Sequence, residues 1–595
     1  MSNSGDFTPW EGTSVAGRRG VWVVVIFITL AVAVSAAGLV ATAVLMGRPT
    51  RVEGNSTLVL RLGGDLREIE PGGLVGSFFE PPPTVRTVVE SLRKARVDRR
   101  ITSVVIRPTG TASLWGKVQE VRDAIVDFKT SRKPIIAYLE YGGEQEFYLA
   151  SACDKVFLMP TASLDLTGIA SYELFLRGTL DKIGAYPDAM HIGDYKTASN
   201  QMTEHTFTPA HREMAESLNR DLYDQLLKGI ASGRQKPDAE VRRLIDHGPF
   251  LPEDAVRAGL VDDVAYEDEI DDKVSLGRGQ TTFLEHHEYR SVSASSLGLN
   301  RGPRIAVLYA VGIITSGESS YDSPQGEVVG SDTIVRYLRK ARADGSIRAI
   351  VLRVDSPGGS AIASDVIWRE VELTRAVKPV IASMSDVAAS GGYYIAMPAH
   401  KIVAEPATLT GSIGVVMVKF VIDGTLKKLG MNMEGVSSGR YANLYSPIRP
   451  FSPEEPAKIQ EQMQATYDAF VEKAAAGRHT TPEKIDAIAQ GRVWTGRQAK
   501  EIGLVDELGG LDRALALAKE HARIGRDTEV ELVVYPPKRS LYDALADPFG
   551  ASDQSGLLSA FLDLGDRRAI QTLTAPLRVF RRGEPLAIMP NVFVR

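Results

Sequence analysis

One stretch of this chain occurs twice. Leu92-Arg93-Lys94-Ala95-Arg96-Val97-Asp98, followed by the apolar run Ile101 to Arg107, returns as Leu338-Arg339-Lys340-Ala341-Arg342-Ala343-Asp344, followed by Ile347 to Arg353. The offset is 246 (339 − 93). It also pairs Phe147-Tyr148-Leu149-Ala150 with Tyr393-Tyr394-Ile395-Ala396, Pro160 with Pro406, and Gly168 with Gly414. Further on, Ala255 to Asp262 parallels Ala499 to Asp506. A period this long is not that of a short-repeat solenoid; a whole domain has been copied. Each copy alternates apolar strand-like runs with helical stretches, so each is expected to be an α/β domain with a buried sheet.

The copies are expected to span 57–298 and 302–540, meeting in the polar stretch Gln280 to Pro303, where Arg301-Gly302-Pro303 breaks structure before the next strand. Pro71 to Pro83 reads as a loop. The segment 541–595 has no counterpart in the first copy, and its apolar Leu586-Ala587-Ile588-Met589 has no readable role. At the other end, Val21 to Met46 holds no charged residue. As a helix it would be roughly 39 Å long, against a hydrocarbon core of ~30 Å. The apolar part of a cleaved signal peptide is shorter, about 7–15 residues, so an uncleaved membrane anchor over 21–46 behind a tail of 1–20 is expected. Arg18-Arg19 before it and Arg48 and Arg51 after it orient it only weakly.

Composition narrows the chemistry. A net charge of −5 argues against a nucleic-acid partner. The single cysteine, Cys153, excludes an intrachain disulfide framework and a cysteine-rich metal site. No His-Glu-x-x-His motif is present, so a zinc peptidase is not expected, and no cofactor or metal is called for.

The second copy carries the chemistry. Pro379-Val380-Ile381-Ala382 leads into Asp386-Val387-Ala388-Ala389-Ser390-Gly391-Gly392-Tyr393-Tyr394, a strand that turns sharply into a helix. A serine at such a junction exposes its hydroxyl, and the Gly391 amide beside it can face a developing oxyanion. The strand ending in Arg353-Val354 runs into Ser356-Pro357-Gly358-Gly359, a turn whose amides sit at the carboxyl edge of a sheet, where a second oxyanion donor belongs. The offset places Glu144 where the second copy has Ser390, and Leu166 where it has Ser412. Pro108-Thr109-Gly110-Thr111 replaces the double-glycine turn. The first copy therefore has neither nucleophile nor matching turn.

Taken in order, Ser356-Pro357-Gly358-Gly359, Ala389-Ser390-Gly391-Gly392-Tyr393-Tyr394 and Thr410-Gly411-Ser412-Ile413-Gly414-Val415 resemble the serine peptidases of the signal peptide peptidase A family, relatives of the Clp protease and crotonase folds. The resemblance implies two tandem Clp/crotonase-like domains, and it identifies His191-Ile192-Gly193-Asp194-Tyr195-Lys196 as similar to the segment carrying the family's general base. The second copy has Ala442 at the place of Lys196, again 246 residues on. One copy keeps the base and the other the nucleophile, so a single composite site is expected. Its expected members are Ser390 as nucleophile, Lys196 as base, and Gly391 and Gly359 as oxyanion donors, and the resemblance implies that Ser412 positions the lysine amine by a hydrogen bond.

An ordinary lysine, pKa ~10.4, is neutral in only about one molecule in a few thousand at pH 7. Lys196 must therefore be desolvated and unpaired, and a carboxylate such as Asp194 bonded to it would defeat the mechanism. The resemblance further implies apolar substrates such as remnant signal peptides, a homo-oligomer (a tetramer), and a catalytic part on the extracytoplasmic side of the cytoplasmic (inner) membrane. Two rival readings share parts of this pattern. An acyl-CoA enzyme of the crotonase fold would use the oxyanion turns without a Ser390–Lys196 pair, and an inert membrane scaffold would need neither.

Overall fold

Strands with apolar residues on both faces must be covered on both sides, and here they are the middle strands of parallel sheets. Val380–Ala389 is buried along its whole length, and Ile347–Ser356 nearly so. The computed structural model describes residues 25–36, 38, 52–70, 83–275, 281–320, 327–537, 585–589 and 593–594. Val52–Arg595 forms one compact unit holding both copies.

The first copy is built on a six-stranded parallel sheet in the order Asp263–Val264, Lys155–Leu158, Ile135–Leu139, Ile101–Thr111, Ser56–Gly64, Thr282–Glu285. The second copy repeats that order with Glu507–Leu508, Lys401–Ala404, Val380–Ala389, Ile347–Ser356, Arg304–Val311 and Glu531–Tyr535. Two further strands, Leu409–Gly411 and Val493–Thr495, extend it beside Val380–Ala389. Even the fastening of the edge is copied. Asp262 accepts from Lys155 Nζ and the Val156 amide, and Asp506 accepts from Lys401 Nζ and the Ile402 amide. The α/β duplication expected from the offset is thus present in the strand order. The polar stretch at the junction is more ordered than expected: Thr282–Glu285 pairs with Ser56–Val59 at the edge of the first sheet.

A third, mixed sheet ties the copies together. Its order is Val328–Gly330, Ile313–Thr315, Gly358–Ser360, Leu586–Ile588, Val415–Val421, Tyr186–Ile192. Tyr186–Ile192 of the first copy runs antiparallel to Val415–Val421 of the second, with Ile192 opposite Val415. Buried charge reinforces the junction. Arg353, 1% exposed, donates to Glu68 at 2.9 and 2.7 Å and to Glu120 at 2.6 Å, both from the first copy. Burial works to raise the Glu68 carboxyl, but the Arg353 guanidinium outweighs it and holds it at about 2.

At the N-terminus, residues 25–36 are helical and exposed. No helix among the described residues is long and apolar enough to cross a membrane, and the rest of the expected anchor except residue 38 lies outside them. The same holds for the tail 1–20, for residues 71–82 of the expected loop, and for most of 541–595.

Candidate active site

The pairing of Ile192 with Val415 decides what meets at the centre. Lys196 lies four residues beyond Ile192, and Ser412 three residues before Val415, so the two chains enter the site from one strand pair. Lys196 Nζ lies 2.7 Å from Ser390 Oγ, 2.8 Å from the Ser412 carbonyl oxygen and 3.0 Å from Ser412 Oγ. Lys196, Ser390 and Ser412 are each 0% exposed. Burial alone drives the Lys196 amine well below the ordinary lysine range. Asp194 is exposed, and among the described residues no carboxylate comes within ion-pairing distance of the Lys196 amine.

Ser390 ends the strand Val380–Ala389 and precedes the short helix Gly391–Ala396. Its φ of 54° is a strained value for a residue with a side chain, tolerable only where the surroundings fix it. They do: the Ser390 amide donates to the Gly411 carbonyl at 2.8 Å, and its carbonyl accepts from the Tyr394 amide at 2.8 Å. Ser412 is held in the same unusual region, at φ 51°, with its amide donating to the Arg492 carbonyl at 2.7 Å.

The two glycine turns converge beside this pair. A Cβ placed on Gly358 would sit 2.7 Å from the Gly391 nitrogen, and one on Gly391 would sit 3.1 Å from the Gly358 Cα. Gly359, at φ 154°, has its back against the Ile314 carbonyl, 2.2 Å from where a Cβ would be. Side chains are excluded from both turns, so backbone amides border the space next to Ser390. Ser390 and Ser412 of the second copy thus meet Lys196 of the first, and Gly358, the residue before Gly359, lies against Gly391 beside Ser390.

The first copy holds no such arrangement. Glu144, where the second copy has Ser390, accepts from the Thr167 amide and hydroxyl at 3.0 Å each. Thr109-Gly110-Thr111 continues the strand Ile101–Thr111 instead of turning, and Ala442 lies on an exposed segment.

Sequence reasoning missed the group that seats the base. Gly491, at φ 78°, lies so close to Lys196 that a Cβ on it would be 2.4 Å from the backbone nitrogen of the lysine and 2.5 Å from its Cα. Its amide donates to the Ile413 carbonyl at 2.8 Å, while the Gln490 carbonyl accepts from the Tyr195 amide at 2.8 Å. A single turn thus holds both the base and the Ser412 loop. The signal was Gln490-Gly491-Arg492 just ahead of a short apolar strand, a pattern with no matching glycine in the first copy to mark it.

With this geometry in place, comparison with known proteins is decisive. The profile of Peptidase family S49 matches residues 127–280 and again residues 372–525. The chain belongs to peptidase family S49. This S49 serine peptidase is 37% identical over 504 residues to "Serine protease SPPA, chloroplastic" of Arabidopsis thaliana, covering 83% of this chain and 74% of that protein. It is 34% identical to "Protease 4" of Salmonella typhi, covering 80% and 77%, and 33% identical to "Protease 4" of Haemophilus influenzae, covering 69% and 68%. Among solved structures, ClpP1 from Listeria monocytogenes aligns at 14% identity with a TM-score of 0.23, over 35% of this chain and 94% of that one.

Proposed function

We propose that this S49 peptidase has one active site per chain, with Ser390 as nucleophile and Lys196 as general base, and that it cleaves apolar peptides through an acyl-enzyme. The observation that carries the reading is the buried Lys196 amine 2.7 Å from the Ser390 hydroxyl, with no carboxylate among the described residues to keep it charged. A neutral amine has two hydrogens and one lone pair. The Ser412 carbonyl can only accept, so it takes one hydrogen; Ser412 Oγ takes the other, and the lone pair is left facing the Ser390 hydroxyl.

From there the steps follow. Ser390 Oγ attacks the peptide carbonyl as Lys196 takes its proton. The amides of Gly391 and Gly359 receive the oxyanion. Collapse of the tetrahedral adduct expels the amine, which leaves with the proton held on Lys196. Water, deprotonated by the same amine, then hydrolyses the Ser390 ester and restores the free hydroxyl.

The substrates in this reading are remnant signal peptides, and the uncharged run Val21 to Met46 anchors the enzyme in the cytoplasmic membrane with the catalytic part outside the cytoplasm. The working form is a homo-oligomer, a tetramer. Support comes from the apolar run itself and from the relatedness to SPPA and Protease 4. A serine-directed fluorophosphonate probe tests the centre of the proposal. The native chain should be labelled at Ser390, while Ser390→Ala and Lys196→Ala should be unlabelled and inactive with their folds intact. Normal turnover by either variant would remove the mechanism.

A further inference from the structure

Strand pairing aligns the copies beyond the Ser412 turn. Thr410 lies opposite Trp494 in the second copy, and Leu164 opposite Phe250 in the first. Phe250 thus corresponds to Trp494 (494 − 250 = 244), and Gly248 to Arg492 (492 − 248 = 244). The copy without a nucleophile has no side chain at this place. The copy that carries Ser390 has a guanidinium there, and this group reaches across to the copy that carries the base.

The Arg492 guanidinium carbon lies 4.7 Å from the centre of the Tyr195 ring and 4.5 Å from that of Trp494. Its Nη1 donates to one oxygen of Glu213 at 2.8 Å, and the Tyr195 hydroxyl donates to the other at 2.7 Å. Tyr195 and Glu213 come from the first copy, Arg492 and Trp494 from the second. A cation within ~6 Å of an aromatic centre is attracted to the face of the ring. A guanidinium is flat and carries five donors, so it can lie against two rings and still bond a carboxylate at its rim. A lysine ammonium is a single point of charge and cannot do all three.

These contacts end one residue away from the reacting groups. Tyr195 precedes Lys196. Trp494 lies against Gly411: a Cβ added there would be 2.9 Å from the indole Cδ1 and 3.0 Å from the Arg492 carbonyl oxygen. The Gly411 carbonyl accepts from the Ser390 amide at 2.8 Å, and the next residue, Ser412, donates its own amide to the Arg492 carbonyl at 2.7 Å. The guanidinium is therefore the joint between the segment that carries the base and the turn that holds its partners.

We propose that Arg492 is a positioning residue for the dyad, its guanidinium clamping Tyr195 to the Ser412 turn so that the Lys196 amine stays within reach of Ser390 and out of water. The inference rests on the assignment of Ser390 and Lys196, and Arg492 acts on them through Tyr195 and Gly411. Loss of the clamp has two signatures. A base segment free to shift by ~1 Å costs about 100-fold in kcat. Water admitted to the amine moves the inflection of the pH–rate curve up toward the ordinary lysine range, because burial alone holds it down.

The test uses full-length chains: native, Arg492→Met, Arg492→Lys and Arg497→Met. Arg492→Met keeps the stem and removes the guanidinium, whereas Arg492→Lys keeps only the charge. Arg497 is the control. Its guanidinium also joins the copies, donating to Asp221 at 2.6 and 2.9 Å and to Asp224 at 2.6 Å, but these carboxylates lie eight residues or more beyond Glu213 on the helix Pro209–Arg234. Arg492→Met should lose kcat about 100-fold with little change in KM, and its inflection should move to higher pH. Arg492→Lys should fall between it and the native chain. Should Arg492→Met not fold, Arg492→Lys carries the same test, since its inflection should also rise. Arg497→Met should lose stability in urea with kcat and inflection unchanged. An unmoved inflection in both Arg492 variants would overturn the clamp. So would a raised KM at native kcat, which would put Arg492 Nε, buried and without a partner among the described residues, on the substrate instead. Equal losses in Arg497→Met would reduce Arg492 to a tie between the copies. Fluorophosphonate labelling keeps the two readings apart: a native chain unlabelled at Ser390 overturns the dyad itself, whereas a labelled native chain beside unaltered Arg492 variants overturns the clamp alone.

Discussion

Replacing Gly491 by alanine tests whether the position of the base, and not merely its identity, sets the rate. Two effects add. The first is local: at φ 78° an alanine costs about 1–2 kcal/mol that glycine does not. The second is steric, since the new Cβ would lie 2.4–2.5 Å from the nitrogen, Cα and Cβ of Lys196. Non-bonded carbons settle near 3.5–4.0 Å, so one side must retreat by roughly 1 Å. Gly491 is held by its bond to the Ile413 carbonyl, and its neighbour Gln490 by the Tyr195 amide. The movement therefore falls on the Lys196 backbone and shifts Nζ from its 2.7 Å contact with Ser390. A misplacement of ~1 Å near reacting groups costs about 100-fold in rate, or ~2.7 kcal/mol.

The expected result for Gly491→Ala is a kcat reduced about 100-fold with little change in KM. Gly503→Ala separates the two effects, because Gly503 has φ 83° but nothing within 4 Å of an added Cβ. It should lose stability in urea by about the same 1–2 kcal/mol of backbone strain while keeping its kcat. If Gly491→Ala retained kcat within about threefold of the native chain, less than 1 kcal/mol, the link between this glycine and the base would be refuted.

Three more outcomes follow from the same site. Activity should rise with pH and level off at an inflection well below the ordinary lysine range, because burial favours the neutral amine; a rate proportional to hydroxide up to about pH 10 would show an unperturbed lysine. Lys196→Met should be inactive yet more stable than the native chain to urea at neutral pH, because folding of the native chain must strip the proton from Lys196. The sign follows from the lowered pKa: between the folded value and that of the unfolded chain, the unfolded state binds the extra proton, so native stability climbs with pH. The advantage of Lys196→Met should therefore shrink as pH rises toward 10.5, the ordinary lysine value, and a margin that widened instead would contradict a neutral buried amine. Lys196→Ala and Ser390→Ala chains with different tags, purified together as mixed assemblies, should stay inactive, since Lys196 and Ser390 meet within one chain; recovery of substantial activity would require base and nucleophile from different chains.

Much of this arrangement was legible in the sequence because the duplication acts as an internal control. Runs such as Ile101 to Arg107 and Ile347 to Arg353 survive in both copies because each forms the buried middle of a sheet, where both faces demand apolar residues. Against that shared background Ser390 over Glu144, and Lys196 over Ala442, stand out as differences. Residues that serve the junction of the copies gave no such contrast. Gly491 matters for what lies opposite it, and nothing in Gln490-Gly491-Arg492 says that the partner is Lys196. Thr282–Glu285 is a four-residue edge strand in a polar stretch, too short for its periodicity to show. Leu586-Ala587-Ile588-Met589 looked merely apolar. Strand partners so far apart in sequence are chosen by packing and not by local preference, so only the structure places them against Gly359.

The division of labour between the copies also explains why they are held so firmly together. The first copy does more than supply Lys196. Its Leu114 and Lys117 amides donate to the Asp386 carboxylate at 3.1 and 2.7 Å, and Asp386 lies on the strand that ends at Ser390. The Lys117 amine lies 2.7 Å from Asp355 and 3.6 Å from Asp386. Burial of this group pushes the Asp386 carboxyl up to about 7 despite the attraction of Lys117, with Asp355 adding repulsion. A junction made of apolar side chains would bury as much surface without that penalty, and such replacements are often stabilising. Directional bonds, however, fix register as apolar contacts cannot. A composite dyad needs that register, because Nζ and Oγ must stay within hydrogen-bond reach although 194 residues separate Lys196 from Ser390 in the chain. The same copy thus brings the base in along Tyr186–Ile192 and steadies the nucleophile's strand through Asp386, so that movement between the copies would disturb both members of the dyad at once.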